Sequence, residues 1–190
     1  MEPEKKFKEE LIKDLNLLNS NWIDGDEESG SKKKADIVNH SLKIAIEIKD
    51  DTNYRIAFAT EPGVMTGQGI DMEKMNQRFS DHIKSADNKF KEYSDYKTIL
   101  ILRTEFLLEK IIGYAIEGCH SYLLQDRKLI YAGRRKKYSK YCGREIGCFL
   151  IFINREKYYL SNNLAKDNRI VLKNDAESIL GLALNDVPAI

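Results

Sequence analysis

Lys34-Ala-Asp-Ile-Val-Asn-His-Ser-Leu-Lys-Ile-Ala-Ile-Glu-Ile-Lys-Asp50 is the stretch whose reading decides the fold. Side chains alternate along a strand, so Ile44, Ile46 and Ile48 share one face and Ala45, Glu47 and Lys49 the other. Asp36-Ile-Val38 reads as the preceding strand, turned back through Asn39-His-Ser41. A hairpin that short brings Asp36 beside Glu47. Two carboxylates and an ammonium then converge on one face of a sheet, an arrangement suited to a divalent metal and a phosphate. A Glu-x-Lys on an exposed strand face is common and contributes little. This one is set in an isoleucine-rich strand that reads as central, where charges need a reason.

Outward from this hairpin, residues 3–19 read as a helix with Phe7, Leu11, Leu15 and Leu18 as its apolar stripe. Trp22-Ile23 begins a short extended piece, and residues 24–34, polar and rich in turn formers, read as a loop. Downstream, Arg55–Ala59 reads as a third short strand. A helix is expected from Asp71 to about Tyr93, with Met72, Met75, Phe79, Ile83, Ala86 and Phe90 inward. Lys97–Leu102 reads as a buried strand. Beyond it come a helix over 105–118, strands at 129–131, 147–153 and 157–160, and a short helix over 175–180. The expected class is α/β (α+β), with a mixed central sheet flanked by helices. One domain is expected over 1–190, with a core over 1–104 and a C-terminal α+β extension over 105–190 packed on it.

Composition narrows the class. The 190 residues are 42% hydrophobic and 32% charged with net charge +1, so polyanion binding must come from local clustering. A signal-peptide h-region and a bilayer-length apolar run are absent, which gives the expectation of a cytoplasmic protein with no membrane partner. Cys119, Cys142 and Cys148 lack CxxC spacing, and His40, His82 and His120 do not fall at ligand spacings near them. They read as reduced thiols and not as a zinc site. Gly67-Gln-Gly69 lacks the strand and further glycine of a nucleotide fingerprint.

The hairpin carries the chemistry. Hydrolysis of a phosphodiester requires an activated water, neutralised phosphate charge and a stabilised leaving oxygen. Mg²⁺ (or Mn²⁺) held by a few oxygens supplies much of this and usually keeps several waters. Asp36, Glu47 and the carbonyl of Ile48 are the expected ligands, and Lys49 is placed to position water or stabilise charge on the phosphate. Ala35-Asp36…Glu47-Ile-Lys49, with a helix before it and a helix and strand after it, resembles the PD-(D/E)XK nuclease superfamily over about residues 4–102. In motif it is most similar to archaeal Holliday-junction resolvases, with Ala35 at the proline of the motif. The resemblance implies a restriction-endonuclease-like αβββαβ core, Mg²⁺-dependent cleavage of DNA or RNA, metal binding by Asp36 and Glu47, and a catalytic Lys49. It also implies a metal-binding Glu on the first helix. Glu4 is in helical phase with the core side, whereas Glu10 has the more resolvase-like distance to the hairpin; both stay open. Lys89-Phe-Lys-Glu-Tyr93 matches the Gln-x-x-x-Tyr of many relatives with Lys at the first position, so Lys89 is a candidate phosphate contact.

Two basic runs are candidate nucleic-acid surfaces: Lys32, Lys33 and Lys34 before Asp36, and Arg134, Arg135, Lys136 and Lys137, interleaved downstream with tyrosines. The reading is therefore a metal-dependent nuclease acting on nucleic acid, DNA in the first instance, and a homodimer if the substrate is a duplex. The alternative is the same fold used as a binding module without cleavage.

Overall fold

In the computed structural model, the residues described are 3–28, 34–51, 72–104, 122–125, 128–131, 143–153, 156–161, 165–166, 169–171 and 173–180. Helix α1 (Pro3–Leu18) leads into a two-residue strand β1 (Ile23–Asp24) and a 3-10 turn (Gly25–Glu27). Strands β2 (Ile37–Asn39) and β3 (Ile44–Asp50) form the expected hairpin. Helix α2 (Met72–Phe90) and strand β4 (Lys97–Thr104) follow. Strands β5 (Tyr122–Gln125) and β6 (Lys128–Tyr131) pair with each other. Strands β7 (Cys148–Ile153) and β8 (Glu156–Ser161) precede helix α3 (Lys173–Leu180). The expected strand over 55–59 and helix over 105–118 lie outside the described residues.

The larger sheet is six-stranded and mixed, ordered β1-β2-β3-β4-β7-β8. The β2–β3 and β7–β8 pairs are antiparallel, whereas β4 lies parallel between β3 and β7. The chain is thus of the general α/β class, with helices against a mixed sheet. Strands β7 and β8, which fall in the expected C-terminal extension, continue the sheet beside β4.

Hydrophobic periodicity explains the layers. Phe7, Leu11 and Leu15 of α1 pack with Trp22, with Ile44, Ile46 and Ile48 of β3, with Ile99 and Ile101 of β4, and with Ala176 and Leu180 of α3. By alternation, Glu47, Lys49, Leu100 and Leu102 face the other side, where α2 contacts β3 and β4. There α2 buries Phe79, Ile83, Ala86 and Phe90 at helical spacing. The hairpin turn is closed by the Asn39 side chain, whose Oδ1 accepts from Leu42 N at 2.9 Å.

Gly25 fixes where the hairpin begins. Its N–H donates to the Asp36 carbonyl at 3.0 Å, and a Cβ there would overlap the carbonyl oxygen of Ala35. Gly25→Ala is expected to cost about 2–3 kcal/mol, since the neighbour is backbone and must shift. Urea unfolding checks this; a change under about 0.5 kcal/mol would contradict the close approach.

Among the described residues, no helix is long and apolar enough to cross a membrane.

Candidate active site

The end of β2 and the middle of β3 build the site. Pairing of β2 with β3 stops at Ile37 opposite Ile46, so the edge of β3 beyond Ile46 has no β2 partner. The Asp36 carboxylate fills that gap, its Oδ2 accepting from Ile48 N at 2.7 Å. In an antiparallel pair the N–H and C=O of one residue point to the same neighbour, so the Ile48 carbonyl is directed to the same edge. Asp36 is 8% exposed and Glu47 is fully buried.

Two ammonium groups compensate these carboxylates. Lys49 Nζ contacts Glu47 Oε1 at 2.6 Å. Lys89, from the last turn of α2, lies between the acids, 3.1 Å from Asp36 Oδ1 and 2.8 Å from Glu47 Oε2. Tyr93, four residues on, is buried, and its hydroxyl accepts from Ala35 N at 3.3 Å. Both ends of the Lys89-x-x-x-Tyr93 segment therefore address the Ala35-Asp36 corner.

Electrostatics follow from burial. Loss of solvation pushes the Glu47 carboxyl up to about 7, the negative charge of Asp36 adds to this, and Lys49 and Lys89 oppose it. Burial alone would lower the Lys89 ammonium, but Glu47 and Asp36 outweigh it and the net shift is upward. Glu47 binds a proton more tightly folded than unfolded. Its contribution to stability is therefore complete below about 4.5 and is lost as pH rises through about 7. Lys89 stays charged across that range. In EDTA, the stability of the protein relative to its Glu47→Gln variant is expected to fall by on the order of 3 kcal/mol between pH 4.5 and 8. Urea unfolding across that range reads the difference, and a flat difference would contradict it.

The sequence-derived residues separate by position. Asp36, Glu47, Lys49 and the Ile48 backbone lie together. Glu4 joins their surroundings: it lines, with Asp36, a cleft of about 760 Å³ that includes Glu9, Asp24, Asp26 and Glu27. Its carboxyl is raised, first by lost solvation and then by the charge of Asp36. Glu10 is instead exposed and pairs with Lys6 at 3.9 Å. Lys34 pairs with Glu28 at 3.3 Å. Lys32, Lys33, Arg134, Arg135, Lys136 and Lys137 lie outside the described residues.

No protein-family model, curated protein or solved structure matches this chain.

A further group was not anticipated. Asp51, just past β3, is 5% exposed and accepts from Arg78 Nε at 2.7 Å and from His82 Nε2 at about 3 Å. The signal was present: positions 78, 82 and 89 recur on one face of α2, beside the apolar stripe. They extend the line of charges from Asp36 along the open end of β3.

Among the described residues, no three His, Cys, Asp or Glu side chains converge as a ready-made metal cage. A Mg²⁺ site does not require one, because that ion is commonly held by one or two carboxylates and retains waters. The ammonium of Lys89 marks the position. One cation already contacts a carboxylate oxygen of each acid, so the two converge on a single point with hard oxygen donors.

Proposed function

We propose that this protein is a Mg²⁺-dependent nuclease that hydrolyses phosphodiester bonds of nucleic acid, DNA in the first instance, on a restriction-endonuclease-like core. The observation that carries this reading is the convergence of Asp36 and Glu47 on one cation, with Lys49 bonded to Glu47. Asp36, Glu47 and the Ile48 carbonyl would hold the metal. When bound, Mg²⁺ supplies Lewis acidity and lowers the pKa of a coordinated water.

The protein's own residues do the rest. Ile48 N–H fixes the Asp36 carboxylate in orientation. Lys49, partly open to solvent, carries positive charge to the phosphate and stabilises the charge that grows there during attack. Glu4 adds a carboxylate on the cleft side. Lys32–Lys34 and Arg134–Lys137 are proposed to hold the nucleic-acid backbone, and a homodimer is proposed if both strands of a duplex are cut.

A second reading, a binding module on the same fold, is favoured by one feature: two lysines offset the charge of the two carboxylates. Incubation with linear, circular and branched DNA and with RNA separates the two. Cleavage in Mg²⁺ or Mn²⁺ that EDTA stops supports the enzyme. Binding without cleavage under every metal condition overturns it.

A further inference from the structure

We propose that Lys89 is an internal competitor of the metal: its ammonium holds the cation position between Asp36 and Glu47, and metal binding requires it to leave. This rests on the nuclease reading of the same site.

Three observations carry it. First, Lys89 touches both acids, at 3.1 Å on Asp36 Oδ1 and 2.7–2.8 Å on Glu47, whereas Lys49 contacts Glu47 at 2.6 Å. The two lysines are not equivalent: Lys49 flanks the acid pair and Lys89 bridges it. Second, the bridge is sheltered. The Lys89 side chain is 18% exposed and Glu47 is fully buried, so water screens the contact weakly and the ammonium is a strong rival to an incoming ion. Third, Lys89 sits on the last turn of α2 and has four rotatable bonds, so its head group can move without moving the helix.

The consequence is coupling. A divalent ion that enters must displace one positive charge, which weakens metal affinity. The released ammonium is then a mobile cation at the rim of the site, where a phosphate oxygen offers it a new partner. Metal loading therefore creates a phosphate contact, and bound polyanion, by retaining Lys89, favours metal loading in return.

The test is Mn²⁺ binding to the full chain, without substrate, by calorimetry and by the Mn²⁺ electron-spin-resonance signal. Lys89→Gln removes the charge and keeps a hydrogen-bonding side chain. It is expected to bind Mn²⁺ at least 10-fold more tightly than the wild type. Lys89→Arg, which keeps the charge, should show no such gain. Loss of Lys89 leaves two carboxylates facing each other, so thermal unfolding is read in parallel. In EDTA the Lys89→Gln variant should melt lower than the wild type, and Mn²⁺ should raise its melting temperature by more. Glu47→Gln is the control for site occupancy. If Mn²⁺ binding depends on Glu47 but is equal or weaker in Lys89→Gln, the competitor role is overturned and the metal site stands. If no protein in the series shows Glu47-dependent binding, the metal site itself is overturned, and the competitor role with it.

Discussion

Glu47→Gln is expected to lower metal-dependent cleavage at least about 10³-fold while leaving the protein folded. Removing an outer partner of a metal ligand typically costs 10–100-fold, and Glu47 is proposed as a ligand itself. The side chain is fully buried in the centre of β3, so a carboxamide of the same volume leaves no cavity. Burial already raises its carboxyl to about 7, so a neutral group is tolerated at least as well above that pH. Loss of activity with retained or increased stability separates a lost ligand from a damaged fold. Single-turnover cleavage and urea unfolding on the same preparations check both halves. Cleavage within 10-fold of the wild type would contradict a metal-ligating Glu47.

Lys49→Met is expected to lower kcat by about 10²–10³-fold with KM little changed, the magnitude found when one donor to a developing charge is removed. Its ammonium contacts Glu47 Oε1 at 2.6 Å, and its side chain is 18% exposed, which leaves it open to a substrate. Lys49 does not bridge the acids as Lys89 does, so its loss should leave Mn²⁺ affinity unchanged or slightly higher. Methionine preserves the apolar stem, so the packing of its methylenes is retained. An unchanged kcat would reduce Lys49 to a counter-ion of Glu47.

Much of the fold was legible because its signals are local. The alternating isoleucines of β3, the stripe of Phe7, Leu11 and Leu15 (Leu18, read with them, is 50% exposed at the helix end), and that of Phe79, Ile83, Ala86 and Phe90 each report a period and a face. Asp36 and Glu47 were legible as partners because a short hairpin fixes their neighbourhood. Pairings across long stretches of chain were not. No local pattern states that Cys148–Ile153 lies parallel to β4. The position of Lys89 depends on how α2 docks across β3. Residue spacing places it on the same face as Arg78 and His82, but the contact with Glu47 spans 42 positions. The close approach of Gly25 to Ala35 likewise has no signature beyond a glycine in a polar loop.

Anomalous diffraction from a crystal soaked in Mn²⁺ tests the proposed metal site most directly. The expected result is a peak in contact with carboxylate oxygens of Asp36 and Glu47 and the Ile48 carbonyl, near the 2.0–2.1 Å typical of Mg²⁺, with the Lys89 ammonium displaced from between the acids. A crystal saturated with Mn²⁺ that shows no peak there, with Lys89 still bridging Asp36 and Glu47, would contradict it.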